Sequence, residues 1–155
     1  MKKEITIVRT VDASPQRVWQ AWTNPKELAQ WWGPDGVTIP TCEIDPKVGG
    51  SFYIVMLAGS EMGPLAGQKW PMKGVFTEIV EHERIAYTSG ALDEAGNVLL
   101  AGQAVITFED EHGKTKLTVT TSAEGDAPGI DMMLQGMEPG WNQQMDKLGA
   151  FVSQK

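Results

Sequence analysis

Cysteine is nearly absent: Cys42 stands alone in 155 residues. One thiol closes no internal disulfide, so a disulfide scaffold is excluded and a cytoplasmic location is the default expectation. Cations are also scarce. Thirteen Lys and Arg stand against twenty Asp and Glu, a net charge of −7, and the basic residues never form a stripe. This argues against a nucleic-acid partner, whose phosphates need clustered cations, and against anionic membrane surfaces. No apolar run approaches the length of a transmembrane helix. Met1-Lys2-Lys3 opens like a signal peptide, but Arg9 and Asp12 interrupt the apolar run such a peptide requires. The two histidines, His82 and His112, fall in separate turns, and neither lies at ligand spacing from Cys42. No metal site is therefore expected. Dinucleotide and phosphate-loop fingerprints and the nucleophile elbow are missing, so no cofactor is expected.

Tryptophan and methionine are plentiful instead. Six Trp and eight Met outnumber four Phe and two Tyr. Large rings among adaptable thioethers suit a core, and they also suit a roomy pocket. The length fits one domain, taken here as residues 1–155, that can bury a real core.

The pattern along the chain is α+β. Residues 3–11 alternate as a strand, with Ile5, Ile7, Arg9 and Val11 on one face. Ser14-Pro15 and Asn24-Pro25 each read as a helix start, with Val18, Trp19 and Trp22, then Leu28, Trp31 and Trp32, as buried positions. Extended segments follow at 37–45, 51–57, 69–80 and 85–89. Pro71 hints at an edge or a bulge. The stretches 58–68 and 91–100 read as loops, the second tipped by Glu94-Ala95-Gly96-Asn97. Residues 103–109 and 115–122 form a hairpin turning near Glu111-His112-Gly113. Residues 129–151 read as a helix. At about 100° per residue, Ile130, Leu134, Met137, Trp141, Met145, Leu148 and Val152 share one stripe. Pro139-Gly140 predicts a kink or a fresh start within it.

This order, with specific residues, resembles a known family. Arg9, Pro15, Val18-Trp19, Ala21 to Pro25, Leu28 and Trp31-Trp32-Gly33-Pro34 are similar to the opening motif of the activator of heat-shock-protein-90 ATPase homologue family. That family lies in the START, or birch-pollen-allergen-like, helix-grip superfamily. Asp45, Val48 to Phe52, Gly74, Phe76, Glu78-Ile79, Gly140-Trp141 and Leu148 continue the likeness. The resemblance implies a curved antiparallel sheet gripping one long C-terminal helix, with two short N-terminal helices and a cavity open to small apolar ligands. The superfamily includes lipid carriers, cyclases and hydrolase-like members. The eukaryotic namesake joins such a domain to a separate chaperone-binding domain.

For a pocket between the last helix and the sheet, the meeting faces nominate Met56, Trp70, Met72, Phe76, Tyr87, Ile106, Met133, Met137 and Trp141. Alternatively these side chains fill a solid core. Trp19, Trp22, Trp31 and Trp32 line a pocket mouth or, more in keeping with their spacing, pack the short helices down. Catalytic candidates are carboxylates: Glu78, on the face of Trp70, Met72 and Phe76, and Glu138, at the stripe's edge. An apolar surrounding would raise either pKa, as acid–base chemistry needs. Alternatively Glu78 pairs with Arg9 or Arg84, and Glu138 faces solvent. Arg9 itself predicts a half-buried ion pair. The leading expectation is binding of a small apolar or aromatic molecule. A cyclase- or hydrolase-like enzyme and a stress-related protein-binding domain are the alternatives, and homodimerisation is left open.

Overall fold

The computed structural model describes residues 2–33, 35–92, 95–125 and 130–153, apart from the side chains of Met62, Ile130, Met132 and Met133. Met1, Pro34, Glu94 and Gly129, used in the sequence reading, lie outside this set.

Strand β1 (Lys2–Val11) buries Ile5, Ile7 and Val11 and exposes Glu4, Thr6, Val8 and Thr10. Helices α1 (Pro15–Thr23) and α2 (Pro25–Trp31) follow without a linker. Ser14 Oγ accepts from the Arg17 N–H at 3.3 Å and starts α1. Asn24 serves both helices. Its N–H donates to the Gln20 carbonyl at 2.9 Å, while its Oδ1 accepts from the N–H groups of Lys26 (2.9 Å) and Glu27 (3.3 Å). One side chain thus ends α1 and caps α2.

Six more strands complete one antiparallel sheet: β2 (Val37–Ile44), β3 (Ser51–Ala58), β4 (Lys69–Val80), β5 (Arg84–Leu92), β6 (Val98–Glu111) and β7 (Lys114–Glu124). The strand order is β1-β7-β6-β5-β4-β3-β2. β1 and β2 therefore lie at opposite edges, and α1 and α2 span the distance between them. The β6–β7 hairpin turns at His112 (φ 56°) and Gly113 (φ 86°), the paired positive φ values of a tight two-residue turn. Pro71 sits in β4, an interior strand. β4 pairs with β5 only from Met72 onward, so Pro71 is locally at an edge, with a strand partner, Val55, on one side only. The stretch 58–68 holds short 3-10 turns at Ser60–Leu65, and the predicted loop 91–100 is shorter than expected, because β5 runs on to Leu92 and β6 already begins at Val98.

The C-terminal helix is two helices, α3 (Ile130–Gln135) and α4 (Met137–Val152), divided at Gly136. The Gly140 N–H donates to the Gly136 carbonyl at 2.9 Å, so Pro139 falls in the first turn, where its missing N–H has no intrahelical partner to lose. The fresh start predicted by Pro139-Gly140 thus lies three residues before the glycine, at Met137. Met145, Leu148 and Val152 are buried against Ile5, Val11, Val18, Ile106, Leu117 and Val119 in the main core. Leu134 belongs to a small satellite cluster with Ala123, joined by Leu99, Leu100 and Met137.

Candidate functional site

The tryptophans of α1 and α2 form one edge-to-face array. Trp22 lies 4.8 Å from Trp31, 6.1 Å from Trp32 and 6.2 Å from Phe108, centroid to centroid. Trp31 is wholly buried, and its indole N–H donates to the Ala21 carbonyl at 3.1 Å. These rings fix the helices to the sheet rather than frame an opening. Phe52, Phe76 and Tyr87 form a second aromatic group on β3, β4 and β5, with centroids 5.1–6.3 Å apart. Gly74 lies beneath it: a Cβ there would come within 2.3 Å of the Phe52 ring. Trp22, Trp32, Phe52, Phe76 and Tyr87, with neighbouring aliphatics, line an apolar void of about 20 Å³. That volume accommodates about one water molecule and no aromatic ligand.

The nominated pocket residues divide accordingly. Phe76, Tyr87 and Ile106 are buried in the filled core. Met56, Trp70 and Met72 are on the inner face of β3 and β4, with Met56 directly opposite Trp70, and all three are only half-buried. Met137 and Trp141, on the inward stripe of α4, are likewise half-buried, and Trp141 meets Trp32 edge-on at 5.8 Å. Met133 lies on α3, with its side chain outside the described residues.

The carboxylates follow the alternative of an ion pair and solvent exposure, not the catalytic placement. The β4–β5 register shifts between Phe76 and Glu78, so Phe76 pairs with Tyr87 but Glu78 with Ala86. This bulge moves Glu78 off the face of Trp70, Met72 and Phe76. Its carboxylate pairs with the Arg84 guanidinium, both side chains partly exposed. Glu138 is exposed in the first turn of α4, where a negative charge suits the helix dipole. Arg9 does face inward from β1 and is half-buried: it pairs with Asp146 at 2.5 Å and donates to Asn142 Oδ1 at 3.0 Å, both on α4.

Three polar residues of α4 that the apolar stripe passes over hold the turn after α2. The Gly33 N–H donates to Gln144 Oε1 at 2.8 Å, the Asp35 N–H donates to Gln143 Oε1 at 2.9 Å, and Lys147 Nζ donates to the Trp32 carbonyl at 3.3 Å. Partial burial lowers the Lys147 pKa, an effect opposed by nearby Asp35. Gly33 has φ +87°, and a Cβ there would meet Val37 at 2.7 Å and the Met56 sulfur at 3.1 Å. Only glycine meets both demands comfortably. Gln144 is 5% exposed. Its spacing made it findable, since it lies three residues after Trp141 and four before Leu148, on the stripe itself.

Elsewhere, burial holds the Tyr87 hydroxyl well above the usual phenol range, so it remains a proton donor. A separate open cleft of about 480 Å³ is bordered by Pro15, Gln16, His82, Glu83, Phe108, Glu109 and Asp110. Among the described residues, no group of three or more His, Cys, Asp or Glu is arranged to hold a metal ion. No helix among them is long and apolar enough to cross a membrane.

A curved antiparallel sheet closed on its inner face by a C-terminal helix is a helix-grip α+β fold. The sequence model of the family described as activator of Hsp90 ATPase homolog 1-like protein matches residues 12–153, and the chain belongs to that family. Similar solved structures include a protein from Chromobacterium violaceum, 28% identical with TM-score 0.77, covering 98% of both chains. Another, from Arthrobacter aurescens, is 28% identical with TM-score 0.80, over 97% of this chain and 86% of the other. The AHSA1 protein of Silicibacter pomeroyi, at 22% identity and TM-score 0.78 over 97% and 98% of the two chains, shares the fold. No curated protein matches the chain.

Proposed function

We propose that this protein binds a small apolar or aromatic molecule on the concave side of the sheet, against α4. One contrast carries the reading. Inner-face positions under the second half of α4, such as Ile106, Leu117 and Val119, are fully buried. Met56, Trp70, Met72, Met137 and Trp141 are as large and apolar, yet half-buried. Large apolar side chains left partly uncovered on a concave face suit a binding site, and methionine adapts its shape to a guest. The family fold is consistent with such a role. With Glu78 paired to Arg84 outside this face and Glu138 exposed, the rim offers walls rather than acid–base chemistry.

Native mass spectrometry of freshly purified protein should reveal a co-purifying small molecule, and 2-ethylnaphthalene should bind in its place. Met137→Trp should fill the rim and weaken 2-ethylnaphthalene at least about tenfold, with the urea unfolding midpoint nearly unchanged. Equal binding by the folded variant would place any ligand elsewhere.

A further inference from the structure

Two buried side-chain polar atoms among the described residues have no hydrogen-bond partner: Trp22 Nε1 and Gln144 Nε2. Both are donors, and among those residues no buried side-chain acceptor is left over. Gln144 is the more telling of the two. The Gly33 N–H can only donate, so the amide oxygen of Gln144 must face it, and the NH₂ group must point elsewhere. That orientation is held from both sides of the contact. Gly33 belongs to the turn that Gln143 and Lys147 also tie to α4. Burying an amide donor without a partner is unfavourable, and the bond to Gly33 uses only the oxygen of the Gln144 amide.

The position of Gln144 links it to the rim. It lies one turn beyond Trp141 on α4, and its partner Gly33 abuts the Met56 sulfur. Met56 is half-buried and flexible, so a guest entering between Met56, Trp70 and Trp141 can turn its side chain aside. We propose that Gln144 is the polar recognition residue of the concave site: its side-chain N–H donates to the oxygen of a neutral carbonyl on an otherwise aromatic or apolar ligand, such as an aryl ketone. This rests on the ligand-binding reading above and sharpens it to a chemical class. A neutral acceptor fits because the unpaired donors are uncharged, and a carboxylate would need a paired cation when desolvated. Lys147, the cation one turn along, is already directed at the Trp32 carbonyl.

The test compares 2-acetylnaphthalene with 2-ethylnaphthalene, which differ at the carbonyl and little in size. Both are titrated into ¹⁵N-labelled protein. The acetyl compound should bind about fivefold or more tightly than the ethyl one, and it alone should move the Gln144 side-chain NH₂ resonances. In Gln144→Met the ratio of the two affinities should fall to about one, whatever the absolute change caused by losing the Gly33 contact. The resonance shift needs no variant, so it decides the matter even if Gln144→Met folds poorly. Equal affinities with an unmoved Gln144 amide would overturn the carbonyl assignment and leave apolar binding intact. A preference that survives in Gln144→Met would overturn it in favour of another donor, such as Trp22 or Tyr87. Binding of neither compound would overturn both readings.

Discussion

Cys42 is half-buried on β2 opposite Ile54, and burial, helped by the neighbouring Glu43 carboxylate, pushes its thiol from 9.0 up to about 11. The sign of the consequence is set by the unfolded chain. Above pH 9.0 the unfolded thiol sheds a proton that the folded one keeps, so stability falls as pH rises from 9.0 toward 11. Buried Tyr87 acts in the same direction at higher pH. Urea midpoints should therefore decline across this range, and Cys42→Ala should remove the part that begins near pH 9. At pH 8 the folded thiol should react with iodoacetamide about a hundredfold more slowly than the urea-unfolded thiol, because thiolate is the reacting species. Equal rates would show that Cys42 is neither desolvated nor influenced by Glu43. Side-chain partners were less readable from sequence than strand faces. Strict alternation put Glu78 with Phe76, and one extra residue at the bulge sent it to Arg84 instead. Arg9 could be assigned an inward ion pair from its place in β1, but its partners lie on α4, far along the chain. Gln144 was passed over because a stripe read by hydrophobicity skips a polar member, however well spaced.

The α1–α2 corner was the most legible element, since its signals are local. Ser14-Pro15 and Asn24-Pro25 state the helix starts, and the tryptophan spacing states the buried sides. Asn24 concentrates that information in one side chain. Asn24→Ala would orphan the N–H groups of Lys26 and Glu27 at the start of α2. The loss should be about 1–2 kcal/mol, typical of a removed N-cap, measured as a lower urea midpoint with an unchanged slope. Asn24→Asp, which keeps the acceptor, should recover most of it. A cost near zero would mean that the tryptophan array alone holds the corner. The C-terminal helix was less legible for a matching reason. Its apolar period runs through Gly136 without a break, so the pattern reads one helix where the backbone makes two. Pro139 marks the first turn of the second helix, and only the hydrogen bond from Gly140 to Gly136 shows where that turn begins.

At the scale of the whole molecule, the inner face of the sheet is packed unevenly. The second half of α4 lies on the main core through Met145, Leu148 and Val152. α3 rests on the satellite cluster, where Ala123 and Leu134 are the buried members and Met137 connects to the main core. Among the described side chains of α3, Leu134 is the one buried, whereas α4 buries Gln144, Met145, Leu148 and Val152. Local openings follow such differences in packing. Leu148 is wholly enclosed, so Leu148→Ala leaves a cavity its neighbours cannot close, and the loss should be about 4–5 kcal/mol. Leu134 is 5% exposed among partly buried neighbours that can settle inward, so Leu134→Ala should cost about 2–3 kcal/mol. Urea unfolding of both variants measures the contrast. Equal losses would mean that the satellite cluster is as firm as the core and that the fold has no softer end. The half-buried Met137 joins both clusters, so a guest beside it would brace α3 against α4. In the presence of saturating 2-acetylnaphthalene, Leu134→Ala should therefore recover more stability than Leu148→Ala, because the ligand adds contacts beside Met137, which packs on the Leu134 cluster.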